Sequence, residues 1–251
     1  MSATSSLRLA FGAVQRGLAQ SIMFITEQAF LLTTRAEGVP HLRVSLREQV
    51  LRSALLCDLA AHNLIMIEDR GLLGKRVRPV VPSTHVGDPL LRHGVERLEQ
   101  RRPRTFQRLL KDRRFATEEA VTQRLVRQGV LAPEPRRVLL FSWISYPACD
   151  PTVGQQLRSR LQQAVLNGVY ESWDEAVTLA LLTQAPGGIT ALREGQKAMG
   201  FFDTRKTLKE INYSVTDPAL DRTSALVADT LTASLRALAA IARRKRLRLP
   251  W

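Results

Sequence analysis

Apolar residues recur at helical spacing through much of the chain. The clearest stretch is QVLRSALLCDLAAH, which stays apolar over several turns. It follows Ser-Leu-Arg-Glu from Ser45, a capping-box pattern typical of a helix start, and it precedes Asn63, which suits a helix end. The sequence therefore predicts a long apolar helix in this region.

Aspartate–proline pairs mark two further helix starts. Asp88-Pro89 precedes LLRHGVERLEQ, and Asp150-Pro151 precedes TVGQQLRSRLQQAVL. In each pair the aspartate is expected to cap the helix, and the proline to occupy its first turn. Other predicted helices are EQAFLL after Thr26, about Glu118 to Gln128 before Gly129, WDEAVTLALLTQA after Ser172, TALREGQKAMGFF, RKTLKEI, and a last long helix beginning near Asp217-Pro218.

Two stretches are rich in β-favouring residues instead. LIMI and RVRPVVP, joined by DRGLLGK, predict a pair of strands in which Pro79 restricts the second to an edge. RRVLLFSWISYP predicts a protruding hairpin between two helices. The fold class expected is mainly α, with a single helical domain at 21–242 and two short β hairpins, one of them protruding. A flexible or amphipathic segment at 1–20 precedes this domain, and a basic tail at 243–251 follows it.

The charge of the chain is strongly positive and unevenly distributed. The formal net charge is +14, and residues 70–114 carry 13 Lys and Arg against 4 Asp and Glu. Residues 230–251 carry 6 basic residues and no acid. Such concentrated charge favours a polyanionic partner, either nucleic-acid phosphates or an anionic membrane surface. The excess of 31 Arg over 6 Lys is also compatible with nothing more than a genome rich in G and C.

Sequence signals for catalysis or metal binding are sparse. Gly71-Leu72-Leu73-Gly74-Lys75 lacks the full spacing and the following Ser or Thr of a phosphate loop, so it predicts a turn. No histidine stands at ligand spacing from another histidine or a cysteine, and no Gly-x-Ser-x-Gly elbow is present. We therefore predict no enzymatic activity, no cofactor and no metal site. Cys57 and Cys149 have no partner at redox spacing, which favours a reducing, cytoplasmic compartment.

Membrane contact, if it occurs, is predicted to be peripheral. The longest apolar runs are interrupted by Asp58 and by Arg236, so neither is expected to span a bilayer. The first 26 residues contain no acid, which suits either an organelle transit peptide or a short amphipathic helix. The second interpretation is favoured by helical spacing of Phe11, Val14, Leu18 and Ile22.

Several of these pieces occur together in an order that resembles one known family. They are ITEQAFLLTTRAEG near the start, Thr84-x-x-Gly87-Asp88-x-Leu90-Leu91, Gly129-Val130-Leu131, and the VLLF…YP hairpin. The ordered set, over roughly residues 21–245, resembles the Golgi phosphoprotein family of phosphoinositide-binding adaptors. The resemblance implies a mainly α-helical domain on the cytosolic face of a membrane, at the Golgi in a eukaryote, that recognises phosphatidylinositol 4-phosphate. It also implies oligomerisation through the hairpin and coupling of the lipid to protein cargo.

The lipid pocket of that family consists of one tryptophan and three basic residues. The resemblance places the first basic position on Arg52 and the tryptophan position on Arg43. The other two basic positions fall on Phe115 and Glu118, with Arg113 and Arg114 just upstream. We therefore expect the lipid headgroup to bind at a surface depression formed by Arg43, Arg52, Arg113 and Arg114.

Two other segments are expected to contact partners. The resemblance assigns oligomerisation to the hairpin at 138–146, in which Leu140, Phe141, Trp143 and Ile144 are the apolar candidates. The C-terminal segment is expected to attract acidic lipids and to place an indole at the bilayer interface, through Arg243, Arg244, Lys245, Arg246, Arg248 and Trp251.

The sequence leaves more than one class of function open. The favoured hypothesis is a peripheral membrane adaptor that binds phosphoinositides or other anionic lipid headgroups. The alternative is a basic nucleic-acid-binding protein, which is less favoured because residues 70–114 contain one aromatic residue, Phe106, for base stacking. A purely structural interaction module is the third possibility.

Overall fold

The computed structural model describes residues 23–41, 44–71, 74–115, 118–138, 141–167, 172–185 and 222–246. These ranges contain eight α-helices and five β-strands: α1 (Ile25–Leu32), α2 (Val44–Ala61), β1 (Ile65–Asp69), β2 (Lys75–Pro79), α3 (Pro89–Glu99), β3 (Arg104–Thr105), α4 (Phe106–Lys111), α5 (Glu118–Arg127), β4 (Glu134–Val138), β5 (Phe141–Ser145), α6 (Pro151–Asn167), α7 (Trp173–Gln184) and α8 (Arg222–Arg246). The fold is mainly α, as predicted. Segment 1–20, the helices predicted over TALREGQKAMGFF and RKTLKEI, and Asp217-Pro218 lie outside the described residues.

Helix α2 lies at the centre of the fold and contacts α1, α3, α4, α7 and α8. Every residue from Gln49 to Ala60 is buried, so the helix is enclosed on all sides. It begins at Val44, which places Ser45 inside the first turn rather than at the predicted cap. Its end is confirmed, because Asn63 adopts a left-handed φ of 55° just after the last turn.

A carboxylate from α2 caps helix α1. Asp58 accepts hydrogen bonds from the backbone N–H groups of Ile25 and Thr26, each at 2.9 Å, and from the Thr26 hydroxyl. The Glu27 carboxylate accepts a third backbone hydrogen bond, from Phe24, at 2.8 Å. The expectation that Thr26 precedes the helix is therefore wrong, because the helix already begins at Ile25, where Asp58, more than thirty positions away, accepts the first N–H groups.

The structure confirms that a helix begins at each of the two aspartate–proline pairs. Asp88 Oδ1 accepts from the backbone N–H groups of Leu90 and Leu91 at 2.9 and 3.2 Å. Asp150 Oδ1 accepts from the Thr152 N–H at 2.8 Å. In both cases the side chain satisfies donors that the first turn of a helix leaves unpaired.

The first β region is a three-stranded sheet rather than a simple hairpin. Strands β1 and β2 pair antiparallel as predicted, with Ile65 opposite Pro79. Strand β3 adds a third, two-residue strand, in which Arg104 lies opposite Val77. Strand β2 is thus the central strand, and the expectation that Pro79 restricts it to an edge is wrong, because β3 pairs only with the part of β2 before Pro79. Neither β3 nor the six-residue helix α4 is predicted from the sequence, because both are too short to show a hydrophobic period.

The second β region is the predicted hairpin, formed by β4 and β5. Its described side chains are exposed along both strands except at the base, where Ser145 is buried, so the hairpin projects from the helical body. Its base lies on the turn at 34–40, where the Ser145 hydroxyl donates to the Glu37 carbonyl at 3.3 Å. Gly38 in that turn has a φ of 79°, and a β-carbon on it would lie 2.7 Å from the Ser145 hydroxyl oxygen. Glycine is therefore required where the hairpin meets the body.

Helix α8 ends the described part of the chain and packs against α2, α4 and α7. By length and composition, Ala225–Arg244 could cross a membrane, so the expectation that Arg236 interrupts any such run is wrong. A helix of a protein core passes the same test. The larger apolar side chains that α8 buries in this fold are Val227, Leu231, Leu238 and Ile241.

Candidate functional site

Five arginines surround a small depression beside the first sheet, which we call the arginine depression. They come from the end of α3, the link into β3, β3 itself and the loop after α4: Arg97, Arg101, Arg102, Arg104 and Arg114. The apolar residues of its lining are Val77, Leu98, Leu109 and Phe115. Its volume is ≈ 20 Å³, which is space for about one water molecule.

Three short elements bring these arginines together. Helix α3 ends at Glu99, and the chain then passes into β3, which is held against β2 by pairing. Helix α4 follows at once and is fixed by the buried side chains of Phe106, Leu109 and Leu110. The chain therefore folds back on itself between α3 and the loop at 112–115, and it presents its basic residues on one side.

Asp112 is the only acidic residue in the lining of the arginine depression, which gives the lining a formal charge of +4 from five arginines and one aspartate. Its Oδ2 lies 3.0 Å from Arg104 Nη1 and 4.0 Å from Arg101 Nε. Among the described residues, no acidic partner is found for the side chains of Arg102 and Arg114. The site thus has positive charge in excess of what its own carboxylate neutralises.

Arg52 lies beneath the loop that carries Asp112 and Arg114. It is 2% exposed, and its guanidinium donates to the backbone carbonyls of Leu110 at 2.8 Å and Phe115 at 2.9 Å. A third contact is an ion pair with Glu48, one turn earlier in α2. Burial lowers the pKa of Arg52, and the nearby Glu48 carboxylate acts in the opposite direction. Arg52 therefore joins both ends of the loop.

The sequence profile of Golgi phosphoprotein 3 (GPP34) matches residues 25–229 of the chain, from the first residue of α1 into α8. The chain belongs to the Golgi phosphoprotein 3 family. Among curated proteins, none matches it. Membership of this family supports a Golgi-associated, adaptor-like role rather than a catalytic one.

The pocket residues expected in this Golgi phosphoprotein 3 family member occupy two different environments where the structure describes them. Arg43 lies outside the described residues. Arg52 is buried rather than at the surface, because two carbonyls and a carboxylate occupy its guanidinium. Arg113 and Arg114 are exposed, and Arg114 lines the arginine depression. The expectation that Arg52 lines a surface depression with them is thus wrong in its geometry, and its part in headgroup binding stays a prediction.

The two remaining family pocket positions do not add positive charge. Phe115 is buried, and Glu118 forms an ion pair with Arg47 of α2. The Arg47 guanidinium is 1% exposed, lies 4.4 Å from the centre of the Phe30 ring, and donates to the Thr34 hydroxyl at 2.7 Å. These contacts build the core of the domain and leave the surface charge to the arginine depression.

A larger groove of ≈ 620 Å³ lies at the base of the hairpin. Its apolar wall includes residues of α1 and of the loop before β4, and its charged residues balance in sign: Arg35, Glu37, Asp150 and Arg158. Because the charges cancel, this groove has no electrostatic preference for an anion. The arginine depression is therefore the better candidate for a phosphate.

The hairpin and the C-terminal segment are described only in part. Trp143 and Ile144 are 49% and 56% exposed, and both lie within β5 rather than at the tip. Leu140 lies outside the described residues, and Phe141 is described only as the first residue of β5. Arg243 and Arg244 are exposed, and Lys245 and Arg246 complete α8, so the expected tail begins as helix. Arg248 and Trp251 lie outside the described residues.

Four arginines of the arginine depression were not among the residues singled out from the sequence: Arg97, Arg101, Arg102 and Arg104. The available signal was the charge excess of residues 70–114, within which all four fall. Charge density identified the region, but the unpredicted elements β3 and α4 decide which of its arginines meet.

Proposed function

We propose that this protein is a peripheral membrane adaptor that binds anionic lipid headgroups, among them phosphoinositides such as phosphatidylinositol 4-phosphate, on the cytosolic face of a membrane. The observation that carries the proposal is the arginine depression, with its formal charge of +4. Family membership supports the adaptor part of the proposal.

Arginine suits the recognition of a phosphate group. Its planar guanidinium donates paired hydrogen bonds to two oxygens at once, and it stays charged at any physiological pH. The exposed Arg102 and Arg114 can approach a headgroup without breaking an ion pair within the described part of the chain. Each basic side chain near an anionic membrane contributes roughly 1 kcal/mol of binding free energy.

The C-terminal basic segment supports the same membrane contact. Arg243 and Arg244 are exposed at the end of α8, and four more cationic or interfacial residues follow them in the sequence. We assign to this segment a nonspecific electrostatic attraction that adds to the headgroup site. Such an attraction weakens with salt, because exposed charges are screened over about 8 Å at physiological ionic strength.

The hairpin is assigned to contact with proteins, either a second copy of this chain or cargo. Trp143 and Ile144 keep about half of their surface exposed on an element that projects from the body. Exposed aromatic and aliphatic side chains on a projecting strand are typical of a surface that another protein covers.

Vesicle flotation tests the headgroup site directly. The double variant Arg102→Ala/Arg114→Ala should bind phosphatidylcholine vesicles containing phosphatidylinositol 4-phosphate about 25-fold more weakly than the parent, since each arginine contributes roughly fivefold. The matched control is Arg70→Ala/Arg127→Ala, which removes the same charge from exposed positions outside the depression.

Two results would contradict the proposal. Equal loss of binding in both double variants would assign the attraction to net charge alone. Tighter binding of the parent to duplex DNA than to acidic vesicles at the same salt concentration would favour the nucleic-acid alternative.

A further inference from the structure

One carboxylate already occupies the position that an anionic ligand would take in the arginine depression. Asp112 Oδ2 lies 3.0 Å from Arg104 Nη1, and Arg101 Nε approaches the same oxygen at 4.0 Å. The Asp112 side chain is 16% exposed, so this contact is largely shielded from water. A headgroup that binds Arg101 and Arg104 must therefore displace Asp112 or share these arginines with it.

The backbone around Asp112 is fixed, so the carboxylate cannot leave with its loop. The Asp112 N–H donates to the Leu109 carbonyl at 3.0 Å, and the Asp112 carbonyl accepts from the Phe115 N–H at 3.1 Å. The buried Arg52 binds the carbonyls of Leu110 and Phe115 on either side. Displacement of the carboxylate consequently requires a competing anion rather than a movement of the loop.

Competition of this kind depends on the charge of the ligand. A headgroup with a single negative charge exchanges one anion for another of equal charge and gains little. A terminal phosphate monoester carries up to two negative charges and three oxygens, so it gains charge and hydrogen bonds over the carboxylate that it replaces. We infer that Asp112 is a specificity-determining residue that makes the arginine depression select lipids with a terminal phosphate monoester over lipids with one negative charge. This inference rests on the proposed function.

An asparagine at position 112 separates the charge of the residue from its structural contact. Asp112 Oδ1 accepts the backbone N–H of Arg114 at 3.1 Å, and the carbonyl oxygen of an asparagine can accept the same hydrogen bond. The substitution Asp112→Asn thus keeps the turn and removes the competing charge. Glu134→Gln is the matched control, because it raises the net charge equally at an exposed position on the hairpin.

Binding to phosphatidylcholine vesicles that contain either phosphatidylserine or phosphatidic acid, at matched surface charge, tests the inference. The parent should prefer phosphatidic acid, the lipid with the phosphate monoester. Asp112→Asn should raise the affinity for phosphatidylserine vesicles about fivefold and the affinity for phosphatidic acid vesicles by a smaller factor. The preference for phosphatidic acid over phosphatidylserine should therefore fall. Glu134→Gln should leave the preference unchanged.

The outcomes distinguish the inference from the proposed function. A parent that binds neither of these vesicles overturns the inference, and it overturns the proposed function as well if vesicles containing phosphatidylinositol 4-phosphate are not bound either. A parent that binds both vesicles, with a preference that Asp112→Asn leaves unchanged, overturns only the inference. An equal gain for both lipids in Asp112→Asn also overturns it, because it shows added charge without selectivity.

A last measurement separates a lipid headgroup from a soluble phosphate. Glycerol phosphate carries the same monoester without the membrane, so its affinity should fall far below that of phosphatidic acid vesicles. Equal affinity for the two would assign the site to a free phosphate compound and overturn its assignment to lipid.

Discussion

Two groups of arginines in this protein have opposite surroundings. In the core, each arginine meets a carboxylate at close range, in the pairs Arg47 with Glu118, Arg52 with Glu48, and Arg124 with Glu27. In the arginine depression, one carboxylate lies among five arginines and approaches only two of them, Arg101 and Arg104. Isolated charge is too costly to bury, so the core contains cations only where acids neutralise them. An unbalanced cluster is tolerated at the surface, where water or a bound anion can balance it.

The difference teaches which arginines to assign to structure and which to binding. Residue type and local sequence do not separate Arg52 from Arg114, since both lie in basic or mixed stretches. Partners do separate them, because each of the three guanidinium nitrogens of Arg52 donates to an acceptor within the fold. Two experiments test this division and a third tests a buried acid, and they are ordered by the size of the effect that we expect.

The largest effect should follow loss of a cation from the core. Arg124 donates to Glu27 Oε1 at 2.6 Å, pairs with Asp88 and lies 4.0 Å from the centre of the Phe24 ring. In Arg124→Met the side chain of Glu27, which is 0% exposed, loses its counter-charge. We expect the free energy of unfolding to fall by about 3–5 kcal/mol in chemical denaturation.

The matched substitution in the arginine depression is Arg102→Ala. It should change the free energy of unfolding by less than about 0.5 kcal/mol, as is usual for surface positions. Similar losses in the two variants would remove the distinction between core and depression.

The pH dependence of stability should reveal Asp58, a buried acid for which the described part of the chain supplies no cationic partner. Burial raises the pKa of Asp58 from 3.8 to about 7, against the hydrogen bonds from Thr26 and Ile25, which lower it. Between these pH values the folded protein retains a proton that the unfolded chain releases. The stabilisation from Asp58 is therefore fully present below about pH 4 and is lost as the pH rises through about 7, a change on the order of 4 kcal/mol.

Comparison with Asp58→Asn isolates this contribution, because both proteins contain His62 and His93, whose pKa values burial lowers. From pH 4 to pH 8, the free energy of unfolding of the parent should fall relative to that of Asp58→Asn. Parallel curves over that range would show that Asp58 does not take up a proton on folding.

A smaller loss is expected for Arg52, whose removal leaves two carbonyls and one carboxylate without their donor. Arg52→Met should lower the free energy of unfolding by about 2–3 kcal/mol. It should also weaken binding to acidic vesicles, because the loop with Arg114 is no longer fixed. Weaker binding at unchanged stability would instead identify Arg52 as a direct headgroup ligand, as the family resemblance implies.

The fold could be predicted wherever a local signal decides the structure. Asp88 and Asp150 begin helices through their own side chains, so their effect is visible in a few adjacent residues. The start of α1 could not be predicted in this way, because Asp58 supplies its cap from another helix. A capping partner that is distant in sequence leaves no local pattern.

The candidate site was predicted as a region but not as a set of residues. The charge excess of residues 70–114 indicated where an anion would bind. The burial of Arg52 was not foreseeable, because the helical period of α2 does not show that neighbouring helices enclose it on every side. The convergence of Arg97 with Arg114 depends on β3 and α4, which are too short to predict.

The position of the hairpin depends on the lack of a side chain at Gly38. A β-carbon at Gly38 would lie 2.7 Å from the Ser145 hydroxyl and 3.0 Å from the backbone of Tyr146, so any other residue would push the base of the hairpin outward. A small rotation at the base of a long projection becomes a large displacement at its far end. The geometry of any assembly formed through Trp143 and Ile144 therefore depends on Gly38, a residue of the turn at 34–40 and not of the hairpin.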